Sequence, residues 1–103
     1  MLSRRQRLPR SEFPTALKTG KRFSSPHFMV VVPQGVSGYA VVIPKKVLRL
    51  SAARHRLKRQ IMEVMREHAL PPAMIVFPRA VSGSVHYEDI QTELGKLIAS
   101  IHT

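Results

Sequence analysis

The chain of 103 residues contains no cysteine and only six acidic residues, and it has no long apolar run. Without thiols, disulfides and thiolate metal sites are excluded, which fits a reducing compartment. Six carboxylates stand against 17 Lys and Arg, so the formal net charge is +11 and a partner must supply negative charge. Nucleic acid is the first candidate. The longest apolar runs, Phe28 to Val32 and Met74 to Phe77, fall far short of the roughly 20 residues that span a bilayer, so no membrane contact is expected. The basic N-terminus runs into Leu8-Pro9-Arg10 rather than the apolar stretch of a signal peptide. A cytoplasmic location is the expectation.

What is present is charge of one sign, unevenly spread. Residues 1–60 hold 14 of the 17 Lys and Arg beside a single acid, Glu12, whereas residues 61–103 hold three bases and five acids. A solvated surface normally intersperses its signs, so this segregation points to one binding face. Length and a 44% hydrophobic content fit one domain with a modest core. Residues 1–10, with four arginines and little apolar content, read as a basic flexible arm, and residues 11–103 as a single nucleic-acid-binding domain.

Along the chain, Ser11 can cap a short helix in which Phe13, Ala16 and Leu17 recur at helical spacing, Pro14 fits its first turn and Gly20 ends it. Phe28–Val32 and Tyr39–Ile43 are β-branched and aromatic runs separated by turn residues, the pattern of a β-hairpin. From Ser51, Ala53, Leu57, Ile61, Val64 and Met65 line one side of a second helix reaching about His68. Leu70-Pro71-Pro72 stops it. Met74–Phe77 then reads as a buried strand, and after a turn around Gly83 the stripe Tyr87, Ile90, Leu94, Leu97, Ile98 and Ile101 marks a third helix. The expected fold is α+β, a two-layer αββαβα sandwich with helices on one face of a small sheet and the other face or a cleft free for a ligand.

The densest signal is Lys45-Lys46, then Arg49, then Arg54-His55-Arg56-Leu57-Lys58-Arg59 in the early turns of the second helix. Arg54 and Lys58 are four apart and Arg56 and Arg59 three apart, so like charges share neighbouring faces. That repulsion weakens an isolated helix by some tenths of a kcal/mol per pair and makes sense when phosphates lie between the cations. The residues resemble the bacterial ribonuclease P protein family, which has Lys-Lys at a strand end followed by an Arg-Asn-Arg-x-x-Lys-Arg-like helix. The resemblance extends to Leu8–Phe13, Leu17–Arg22, Ile75–Arg79 and Tyr87–Ile90, nearly the whole chain.

That resemblance implies a left-handed βαβ crossover and a role in maturing the 5′ end of tRNA. In it the RNA subunit catalyses and holds most of the Mg²⁺, while the protein binds the catalytic ribonuclease P RNA and precursor tRNA, being monomeric outside the ribonucleoprotein. Carried over, Lys45, Lys46, Arg49, Arg54, His55, Arg56, Lys58 and Arg59 contact RNA, and Phe13, Phe28 and Arg79 belong to a cleft for the single-stranded leader. His55 stands where the family has Asn, Leu17 and Val31 where it has aromatics, and Met62 where it has an arginine. The loop with Val47-Leu48 replaces a family glycine and is one residue longer.

Other readings fit less well. Gly35-Val36-Ser37-Gly38 matches a KH loop, yet it joins two strands here, and an RRM needs paired sheet aromatics that neither run carries. An autonomous nuclease needs converging carboxylates or a His pair. Glu63 and Glu67 sit near Arg59 and Arg66 as ordinary salt-bridge partners, and His27, His55, His68, His86 and His102 show no short metal spacing. A ribosomal protein or structured-RNA chaperone shares the charge and size. A DNA regulator would place the second helix in a major groove.

Overall fold

The computed structural model describes residues 7–68, 70–79 and 87–101; the turn expected around Gly83 and the first six residues of the basic arm lie outside them. A 3₁₀ turn, Arg10–Glu12, leads into α1 (Phe13–Thr19), followed by β1 (Lys21–Ser24), β2 (Phe28–Val32), β3 (Gly38–Val41), α2 (Ser51–Arg66), β4 (Ala73–Pro78) and α3 (Tyr87–Ile101). The α+β class, the three helices and the buried fourth strand agree with the sequence. β1 is an addition: of Lys-Arg-Phe-Ser only Phe23 turns inward, so this edge strand lacks the apolar alternation that would reveal it.

The expected hairpin between the second and third strands does not form. The sheet order is β1-β2-β4-β3, with β4 antiparallel to β2 and parallel to β3. The reason lies in β4, whose Met74, Ile75 and Val76 are all fully buried. A strand apolar on both faces belongs in the middle of a sheet, so it separates the two runs flanking Pro33–Ser37. The hairpin partner of β2 is β1, joined by Ser25-Pro26-His27. A parallel β3–β4 pair needs a crossover, which α2 supplies.

The helices divide between the two faces, where the sequence placed them all on one. Phe28, Val30, Val41, Met74 and Val76 pack with Leu57, Ile61, Val64 and Met65 of α2 and Ile90, Leu94, Leu97 and Ile98 of α3. Each such side chain, fully buried, contributes about 1.5–3 kcal/mol. On the opposite face Val31 and Ile75 pack with Leu8 and with Ala16 of α1. Gly20 ends α1 with an ordinary φ of −76°. Its requirement is space, because a Cβ there would collide with Val31 Cγ1 and crowd the Ala16 carbonyl.

Candidate nucleic-acid interface

The N-terminal segment is anchored earlier than expected. Arg7 bridges Tyr39 in parallel register, the Leu8 N–H donates to the Tyr39 carbonyl at 3.0 Å, and Leu8 is buried, so residues 7–10 belong to the fold and not to a free arm. Gly38 permits this. Its φ of +123° disfavours any L side chain, and a Cβ would meet Leu8 N at 2.8 Å and the Arg7 carbonyl carbon at 2.9 Å.

Between this segment, β3 and α2 lies a groove of about 620 Å³. Arg7, Arg10 and Phe13 form one wall, Ala40 to Ile43 the base, and Ser51, Arg54, His55, Lys58 and Met62 the other wall. Helical spacing explains the α2 wall: positions 51, 55, 58 and 62 share one face, while Leu57, Ile61, Val64 and Met65 turn into the core. Met62 is itself buried, at the foot of the groove. Four fixed cations therefore look across an apolar floor, and among the described residues none has a carboxylate ion-pair partner; the ion pairs there are His27–Glu93 and Arg66–Glu63.

The basic cluster does not converge as one group. Arg54 and Lys58 line the groove with His55, whereas Arg56 and Arg59 are exposed and outside it. Arg54 also braces the backbone, since its Nη1 donates to the carbonyls of Leu48 (2.8 Å) and Arg49 (2.7 Å) and so ties down the loop that carries the exposed Lys45, Lys46 and Arg49. That loop turns on Pro44, whose carbonyl accepts the Val47 N–H at 3.0 Å.

Of the three expected cleft residues, Phe13 lines the groove and Arg79 is exposed at the end of β4. Phe28 does not belong with them. It is fully buried in the core under α2 and α3, on the far face from Phe13, because the pleat at position 28 follows Val30 and not Val31. Sequence reasoning missed Tyr39, Ser51 and Met62 as groove residues, and it gave Arg7 and Arg10 no fixed place. Leu8, a lone apolar residue among arginines, was the available signal that the segment docks.

A second cleft, between the β1–β2 turn and α3, is built differently. Ser25 Oγ donates to the Glu93 carboxylate, the His27 backbone N–H donates to Oε2 at 2.7 Å, and His27 Nδ1 lies 2.6 Å from Oε1. Burial opposes the charge on Glu93, but the Ser25 and His27 hydrogen bonds and the His27 charge outweigh it and hold the carboxyl below its ordinary value. Glu63 meets Arg66 at 3.3 Å on the solvent face of α2. Among the described residues no three His, Asp or Glu side chains gather as a metal-holding group, and no helix is long and apolar enough to cross a membrane.

This architecture has known counterparts. The Ribonuclease P family model matches residues 2–102. The Ribonuclease P protein component of Microcystis aeruginosa is 32% identical, over 86% of this chain and 83% of that protein. Among solved structures, the ribonuclease P protein of Thermotoga maritima superposes with a TM-score of 0.80 at 24% identity, covering 91% of this chain and 96% of that one. A Staphylococcus aureus ribonuclease P protein mutant with defective mRNA degradation activity reaches 0.83 at 20% identity, covering 95% and 89%. The shared fold and the family match over nearly the whole length lead to one conclusion: the chain belongs to the ribonuclease P protein family.

Proposed function

We propose that this chain is the protein subunit of a bacterial ribonuclease P, binding the catalytic RNA and the single-stranded 5′ leader of precursor tRNA so that the RNA can cut the leader away. The observation that carries the reading is the groove, in which Arg7, Arg10, Arg54 and Lys58 surround an apolar floor with Phe13 on its rim. A single strand offers both phosphates and unstacked bases, and cations beside a ring serve both. Duplex DNA would need an unobstructed helix face inserted into a groove, whereas the Arg54 and Lys58 side of α2 stands across the groove from Arg7, Arg10 and Phe13 of the N-terminal segment.

In this reading the work divides by face. Arg10, His55 and Lys58 hold leader phosphates and Phe13 stacks on a base, while Lys45, Lys46, Arg49, Arg56 and Arg59, all exposed, meet the catalytic RNA. Each charge-assisted contact to phosphate is worth about 1.5–3 kcal/mol. Catalysis belongs to the RNA and its Mg²⁺. The protein's part is to neutralise phosphate repulsion, which lowers the Mg²⁺ concentration the assembly needs. A cytoplasmic site of action and a monomeric protein outside the assembly complete the reading.

The test is leader cleavage of a precursor tRNA at low Mg²⁺ by a bacterial ribonuclease P RNA, with and without the protein. Restored cleavage, with no cleavage by the protein alone, is the expected result. If the protein binds that RNA and cleavage stays absent, a ribosomal or RNA-chaperone role replaces this one.

A further inference from the structure

Among the described residues every large apolar side chain is buried or half-buried except Leu50, which is 73% exposed. A lone exposed leucine is ordinary, but this one holds a position that stability alone would give to another residue. Leu50 is the N-cap of α2: its backbone is extended (φ −75°, ψ 126°), its carbonyl accepts the Arg54 N–H at 3.0 Å, and its side chain makes no capping hydrogen bond. Ser, Thr, Asp or Asn there could accept from the first turn of the helix.

The loop before Leu50 is firmly held. Leu48 packs against the core, and Arg54 Nη1 clasps the carbonyls of Leu48 and Arg49, the two residues that lead into Leu50. An ordered backbone thus turns Leu48 inward and Leu50 out to solvent, and a contact made by so ordered a loop costs less entropy on binding. Lys45, Lys46 and Arg49 are exposed on the same loop, and none has a carboxylate ion-pair partner among the described residues. The centre of a protein–protein interface is depleted of charge, and of lysine in particular, so these neighbours disfavour a protein partner. A structured RNA suits them. It surrounds its unpaired bases with phosphates, while each unstacked base exposes an apolar face that a leucine can cover.

We propose that Leu50 is an apolar contact for an unpaired nucleotide of the catalytic RNA, with Lys45, Lys46 and Arg49 on the flanking phosphates and Arg54 as the positioning residue that holds the loop. This rests on the reading above that the loop meets the catalytic RNA, and it adds a contact whose strength does not depend on salt.

The test titrates bacterial ribonuclease P RNA, without tRNA, against wild-type and variant proteins over a range of salt, with urea unfolding of each protein alongside. Leu50→Ser supplies the missing cap, so its urea midpoint should rise while its affinity for the RNA falls by about 10- to 100-fold, the worth of one buried leucine side chain. The salt slope should stay as in wild type, because no phosphate contact is lost. Leu50→Met should bind as wild type does. Arg54→Lys keeps the charge but loses the clasp on two carbonyls, so in that background Leu50→Ser should cost far less; additive losses would overturn the positioning role of Arg54. Lys45→Ala with Lys46→Ala should lower the slope by about 1.4 to 1.8. If the double lysine variant lowers the slope but Leu50→Ser binds as wild type does, the leucine contact falls and the loop reading stands. If neither changes binding, both fall together.

Discussion

The two clefts of this small protein use charge in opposite ways. In the groove beside α2, four fixed cations face each other without a carboxylate ion-pair partner among the described residues. In the cleft beside α3, the one half-buried carboxylate, Glu93, is engaged by Ser25 and by both the backbone and the ring of His27. Satisfied charge stabilises the fold. Charge left uncompensated weakens it slightly and is explained by a ligand that brings the missing sign. The difference separates a surface built for a partner from one built for stability.

The sharpest way to break this comparison is to remove cations from one cleft only. Arg10→Ala with Lys58→Ala should reduce affinity for precursor tRNA by on the order of 100-fold in the ribonucleoprotein, from two charge-assisted contacts. Both side chains are exposed and neither has a carboxylate ion-pair partner among the described residues, so the midpoint of urea unfolding should hold or rise slightly. A next, smaller effect tests how the groove wall is held. Gly38→Ala forces a Cβ into a left-handed conformation and against Leu8, and it should cost about 2 kcal/mol in urea unfolding while weakening RNA binding by releasing Arg7 and Arg10.

The smallest effect belongs to the other cleft. Glu93→Gln should cost about 1 kcal/mol at neutral pH and leave RNA binding untouched. Its sign with pH follows from the lowered pKa of Glu93. The stabilisation is fully present above the ordinary value of 4.5 and is lost as pH falls through the lower folded value. The gap between wild type and variant therefore closes on acidification below that range. A gap that stays constant would remove the Glu93 charge from the stability of this cleft.

The sequence made legible what depends on local pattern. α2 and α3 follow from apolar stripes, and helical spacing made Arg54 and Lys58, and Arg56 and Arg59, neighbours, but it took the groove to show that only the first pair lines it. What it hid depends on long-range pairing. The insertion of β4 between β2 and β3 was foreshadowed only by the unbroken apolar run Met74–Phe77, which needs cover on both faces. Phe28 was misplaced because a strand buried on both faces has no alternation to say which side a residue takes. Arg7 and Arg10 could not be assigned to the groove until Gly38 showed where the N-terminal segment docks.

The central claim is that the α2 groove holds RNA phosphates, and the salt dependence of binding counts such contacts most directly. Wild-type protein and the Arg10→Ala, Lys58→Ala variant would be titrated against precursor tRNA in the ribonucleoprotein across a range of salt. The account predicts a slope lower by about 1.4 to 1.8 in the variant, two contacts at roughly 0.7 to 0.9 each. An unchanged slope would contradict it and remove the groove from the RNA interface.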